Sequence, residues 1–117
     1  MVHMTKPAEF LPMNPRDYLV LLALTAGERH GYGLVKDVEE QSSGVVRMDP
    51  SNLYRSLKRL IQQGLVDESD PREDGDLERR RYYTITPFGR EVVRAEANRL
   101  NELTNVARAR RLIPKAR

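Results

Sequence analysis

The chain holds 117 residues, 39% hydrophobic and 32% charged, with a net charge of +3; that suits one small domain with an appended element. It has no cysteine, which excludes disulfides and thiolate metal sites. Its longest apolar run, Tyr18 to Leu24, is too short to span a bilayer, and Met1 to Leu11 lacks the charged start, apolar run and cleavage site of a signal peptide, so a cytoplasmic protein is expected.

Residues 1–13 show no periodicity and contain Pro7 and Pro12, which predicts a flexible N-terminal arm. Asn14-Pro15 then offers a cap followed by a proline at the first helical position. Tyr18, Leu19, Leu21, Leu22 and Leu24 fill a first helix ending near Gly27. Gly31-Tyr32-Gly33 opens a second helix carrying Leu34, Val35 and Val38, and His30 before it reads as a turn or capping residue. Val45 to Met48 is read as a short extended segment.

The stretch from Asp49 to Gly64 is the most informative. Asp49 caps, Pro50 starts, and Leu53, Leu57, Leu60 and Ile61 form one apolar stripe. Ser51, Asn52, Arg55, Ser56, Lys58 and Arg59 fall outside it, and no acidic residue lies between Pro50 and Val66. Gly64 supplies the left-handed stop. Such a helix, cationic and rich in hydroxyl and amide groups on one face, is what a DNA major groove accepts.

Beyond Gly64 the period changes. Leu65 to Glu68 and Arg79 to Ile85 read as two strands around a turn-rich acidic loop holding Asp70, Glu73, Asp74 and Asp76. Tyr83 and Ile85 share one strand face, Tyr82 and Thr84 the other. A hairpin directly after three helices is a winged helix-turn-helix layout, mainly α with a small β-hairpin, over residues 14–86. Thr86-Pro87 then starts a long last helix, residues 87–113, with Phe88, Val92, Val93, Ala97, Leu100, Leu103, Val106 and Ala107 at helical spacing. Its length leaves little of so small a domain to pack against, so it is read as a dimerisation helix, followed by a basic tail over residues 114–117.

The order of Tyr18-Leu19-Val20-Leu21-Leu22-Ala23-Leu24, His30-Gly31-Tyr32-Gly33-Leu34, Asn52-Leu53-Tyr54-Arg55-Ser56-Leu57-Lys58-Arg59-Leu60, Gly64-Leu65-Val66 and Arg81-Tyr82-Tyr83-Thr84-Ile85-Thr86-Pro87-Phe88-Gly89-Arg90 resembles the PadR family. The chain is similar to its short branch, in which one C-terminal helix replaces a larger helical domain. The resemblance implies a dimeric transcriptional regulator, usually a repressor that responds to small aromatic or drug-like molecules. Two departures stand out: this chain has no tryptophan on which to stack a flat ligand, and its wing loop is acidic.

The expected DNA-binding residues are Ser51, Asn52, Tyr54, Arg55, Lys58, Arg59, Arg79 and Arg80. Arg55 matches guanine and Asn52 adenine, while Lys58, Arg59 and Ser51 suit phosphates. Tyr54 has two readings, a core ring with a wet hydroxyl or a phosphate contact. Arg79 to Arg81 either meet a groove edge or phosphate or neutralise the acidic loop. In a dimer whose terminal helices pack near the trihelical units, Phe88, Val92, Val93 and Leu100, with residues of the first helix, are candidate walls of an effector crevice between them, with a filled core as the alternative; Tyr18, Val93, Leu100, Leu103, Val106 and Ala107 are candidate dimer contacts. Glu96 and Arg99 are placed at that seam as cross-chain pairs. No catalytic, metal or cofactor set emerges, since His3 and His30 are the only imidazoles and the carboxylates cluster in a solvated loop. The partners expected are double-stranded DNA with a palindromic operator, a second copy of the chain, and a small aromatic effector. A winged-helix protein-interaction module is the alternative, and an RNA-binding domain ranks behind it, for want of exposed aromatics.

Overall fold

The computed structural model describes residues 6–74 and 78–115, with residues 73, 74, 78 and 79 described by backbone alone. Three helices, α1 (Pro15–Leu24), α2 (Gly31–Gln41) and α3 (Pro50–Gln62), pack around Leu21, Leu24, Leu34, Val38, Leu53, Leu57 and Leu60, all fully buried. Each begins on a side-chain cap. Asn14 accepts from the Arg16 and Asp17 amides, His30 from Gly33, and Asp49 from Asn52. Between α2 and α3 the chain makes a turn, with Ser42 Oγ bonded both to the carbonyl and to the amide of Val46. No strand forms at Val45 to Met48, where the Val45 amide and both backbone groups of Val46 are spent on the turn. Gly64 ends α3 at φ +76°, a conformation glycine adopts without a Cβ clash.

The wing is more elaborate than one hairpin. Strand β1 (Arg29–His30), β2 (Val66–Glu68), β3 (Arg72–Asp74), β4 (Glu78–Arg80) and β5 (Tyr82–Ile85) make two sheets. The main one has order β1-β5-β2, antiparallel, with Val66 opposite Ile85 and Arg29 opposite Tyr83. Strands β3 and β4 pair as a separate two-stranded ribbon. The run from Arg79 to Ile85 therefore breaks at Arg81, which lies between β4 and β5. This is a mainly helical winged-helix fold.

Thr86 caps α4 (Pro87–Ala109) through the Gly89 amide. The helix is buried at its start and bare at its end: Val92 is 0% and Val93 6% exposed, but Leu103 54% and Val106 46%. The described part of the expected flexible arm is docked on it. Pro7–Phe10 form a 3-10 turn, and the Phe10 ring meets Phe88 edge-on at 5.6 Å. Glu96 is buried and accepts from the Met13 amide at 2.8 Å. Arg99 donates to the same carboxylate at 2.5 and 2.9 Å. The Glu96–Arg99 pair thus lies within one helix and holds the arm, because burial leaves that carboxylate nowhere else to find donors.

The Arg99 hydrogen bonds, then the Met13 amide, hold the Glu96 carboxyl below the usual glutamate range against the opposing effect of burial. A carboxylate with a depressed folded-state pKa adds stability that is complete above the unfolded value of about 4.3 and is lost as pH falls through the lower folded value. Urea midpoints of wild type and Glu96→Gln should differ most near neutral pH and converge in acid. A difference independent of pH would remove the ionised carboxylate from this account.

Candidate nucleic-acid interface

Helix α3 presents Ser51, Tyr54, Arg55, Lys58 and Arg59 to solvent, with Asn52 half-buried beside them. Leu53, Leu57 and Leu60 fill the opposite face, together with Ser56. Ser56 is thus part of the buried side rather than of the polar face, its small hydroxyl fitting where the helix meets its neighbours. Asp49, Asn52 and Arg55 form a chain of hydrogen bonds. Asn52 donates through Nδ2 to Asp49 at 3.3 Å and accepts from Arg55 Nη2 at 2.5 Å. The two residues suited to base edges are therefore pre-ordered as one unit, which lowers the side-chain entropy lost on binding. Tyr54 is 53% exposed, which rules out the core reading.

Arg59 has another task than the phosphate contact expected of it. Its Nε and Nη2 donate to Asp17 at 2.7 Å each, a fork that ties α3 to α1. Asp17 is buried, and the hydrogen bond to it raises the Arg59 pKa above its ordinary value, with burial opposing. Truncating Arg59 to alanine strands a buried carboxylate. The loss expected is about 2 kcal/mol, less than for a fully enclosed pair because the screened guanidinium side chain is 46% exposed. Denaturant unfolding checks this, and Asp17→Asn on the Arg59→Ala background should recover part of the loss. No recovery would mean the pair is not what holds the helices.

At the wing base, Arg80 Nη1 lies 3.3 Å from His30 Nε2, and Arg81 pairs with Glu68 at 3.5 Å. Arg72 pairs with Glu28 and lies 3.9 Å over the Tyr82 ring. Tyr83 is buried; burial first, then Glu68, pushes its phenol far above the ordinary range. The Arg79 side chain lies outside the described residues, as do His3 and Asp76.

The candidate effector walls do not make a crevice within one chain. Val92 and Val93 are core residues, Phe88 is covered by Phe10, and Leu100 is half-buried on the same helix. Val93, expected at the dimer seam, is instead packed within the chain. Tyr18 is half-buried against the core, its phenol pKa raised by burial and then by Glu96. Leu103 and Val106 stay exposed, with Leu100 and Ala107 half-buried beside them. Asp17 and Glu96 carry a legible signal only in hindsight, as acids within otherwise apolar helical faces.

The model of the transcriptional regulator PadR-like family matches residues 20–95. The chain belongs to that family. PadR-like proteins are transcriptional regulators, not enzymes. A PadR family transcription regulator from Clostridium difficile R20291 superposes with a TM-score of 0.71 at 20% identity, covering 82% of this chain and 97% of that one, and shows the shared fold. Bacillus subtilis PadR in complex with operator DNA matches with a TM-score of 0.62 at 25% identity, over 72% of this chain and 47% of that one. An uncharacterised 37.1 kDa protein in transposon TN4556 of Streptomyces fradiae is 36% identical over 91 residues, 78% of this chain. The chain spans 24% of the length of that protein. Among the described residues of this PadR-like chain, no group of three or more His, Asp or Glu could hold a metal ion, and no helix is long and apolar enough to cross a membrane.

Proposed function

We propose that this PadR-like chain binds duplex DNA sequence-specifically as a two-fold dimer and represses transcription. Helix α3 enters the major groove and the wing base follows the backbone. The observation that carries this reading is the exposed face of α3, where Arg55 is held by Asn52 beside Lys58 and Ser51 with no acid among them. The Bacillus subtilis relative, whose structure holds operator DNA, supports it. Footprinting on the DNA flanking its own coding region is the test: a protected, two-fold symmetric site is expected, and no protection would overturn the reading. A small aromatic effector would have to lie in a crevice formed between protomers, because the α4 residues first suited to it are packed within one chain. Calorimetric titration of the DNA complex with planar aromatic compounds tests that part, and none binding or releasing DNA would remove it.

The dimer seam we infer is the bare end of α4, around Leu103 and Val106. A long helix gains most of its stability from a packed face, and here Leu103 and Val106 in the second half of the stripe stay exposed. Leu103→Asp with Val106→Asp places charges where a partner would bury them, while both sites stay exposed in a monomer. Sedimentation should show a monomer with near-native circular dichroism, and operator affinity should fall far more than nonspecific affinity. An unaltered dimer would move the seam elsewhere.

A further inference from the structure

Arg16 and Arg47 wall one cavity of about 610 Å³, with Asn14, Gly44 and Val45 among its other walls. No acidic residue is among the described residues that line it. Both arginines are exposed. The Arg16 side chain makes no hydrogen bond or ion pair among the described residues, and its neighbour Asp17 is taken by the Arg59 fork. Arg47 meets Glu39 at 3.6 Å, but those side chains are 79% and 48% exposed, so the pair is weak and readily exchanged. Two like charges on one small cavity repel each other, and an anion seated between them turns repulsion into attraction.

Both banks of the cavity are held by local bonds. The Arg16 and Asp17 amides at the start of α1 are already taken by Asn14, so the attraction comes from side chains and not from the helix end. Opposite, Ser42 Oγ bonds both backbone groups of Val46, and the Gly44 amide donates to the Glu39 carbonyl at 2.8 Å. Arg47 thus leaves from a fixed turn, which lowers the entropy lost when it grips a ligand.

We propose that this cavity seats one backbone phosphodiester of duplex DNA, clamped between Arg16 and Arg47. The inference rests on the DNA-binding reading and adds a second anchor to it. Position selects the DNA backbone over a free phosphate. Arg47 stands just before Asp49, the cap of α3, and Arg16 adjoins Asp17, which Arg59 ties to α3. The cavity therefore flanks α3 on one side. The wing flanks it on the other, where Tyr54 and Lys58 share a cleft with Glu68 and Tyr83. The exposed face with Ser51 and Arg55 lies between them. A recognition helix meets base edges with its first turns, so the strand bounding the groove away from the wing passes the cavity. Val45, exposed on the same turn, suits the adjoining deoxyribose, and such contacts position without reading sequence.

The test titrates wild type, Arg16→Gln, Arg47→Gln, the double variant and an Arg94→Gln control onto one duplex of arbitrary sequence at several salt concentrations. Arg94 is an exposed arginine of α4, so the control removes a charge elsewhere. Every altered side chain is exposed, and melting temperatures should stay at the wild-type value. Each single variant at the cavity should bind about tenfold more weakly. The double variant should lower the salt slope by about 0.9 for each protomer bound, the signature of one lost phosphate neutralisation. It should also lose less than the two single losses combined, since both groups grip one phosphate. Single neutral methylphosphonates should reveal one backbone position per protomer to which wild type and Arg94→Gln respond and the double variant does not. Wild-type affinity in the double variant, or losses that Arg94→Gln reproduces, would overturn the seat and leave the DNA-binding reading standing. Saturable binding of inorganic phosphate alone, abolished in the double variant with DNA affinity untouched, would overturn the backbone assignment. A wild type that binds no duplex would bring down both.

Discussion

Replacing Arg55 and Lys58 together by alanine is expected to weaken binding to a footprinted operator on the order of a hundredfold. The two contributions differ in kind. A bidentate arginine on guanine is worth about 1–3 kcal/mol of discrimination, so Arg55→Ala should relax specificity at one base pair of each half-site. Lys58→Ala should weaken all sequences alike and lower the salt slope by about one. Asn52→Ala should resemble a mild form of Arg55→Ala, because the Asn52 carbonyl holds the guanidinium in place. Gel-shift titrations at several salt concentrations, on the operator and on a scrambled duplex, separate these effects. Operator affinity unchanged by the paired substitution would remove α3 from the groove and promote a winged-helix interaction module in place of DNA recognition.

Among the described glycines, Gly89→Ala is expected to be the most damaging methyl addition. A Cβ at that position would lie 2.2 Å from the Leu65 carbonyl oxygen and 2.8 Å from Ile85 Cγ1. The obstacle is backbone, and it is fixed from several sides: the Leu65 carbonyl accepts from the Thr86 amide at 3.0 Å, and Thr86 Oγ1 donates to the Gly64 carbonyl at 2.8 Å. The first turn of α4 is thereby pressed onto the junction between α3 and β2. Relief requires moving α4 away from that junction, at a cost of about 3 kcal/mol. For a domain of this size that corresponds to a melting temperature lower by roughly 10 °C. Calorimetry checks the figure; a variant melting within 2 °C of wild type would mean that α4 docks more loosely than its contacts indicate. Because α4 also carries the inferred dimer seam, the variant should lose operator affinity in step with its stability.

The helices were legible because their signals are local. Asn14, Asp49 and Thr86 each precede a proline and each bonds an amide two or three residues on, so cap and start lie within one short window of sequence. The apolar stripe of α3 and the polar face opposite it follow from helical periodicity alone. The wing was legible in outline. Its division at Arg81, and the recruitment of Arg29 and His30 as a third strand, were not, since strand pairing depends on what folding brings alongside.

What the sequence by itself determined is the order of the four α-helices and the wing, the caps, the acid-free cationic helix and the family. The tertiary structure alone decided which charges are free to meet a ligand. Arg59 and Lys58 are equal candidates by pattern, yet Arg59 is claimed by Asp17 across 42 residues of chain. Glu96 takes the Met13 amide across 83 residues, and His30 faces Arg80 across 50. Local hydrogen bonds are chosen by residue spacing, whereas a buried charge takes the donors that packing delivers, wherever they stand in the chain.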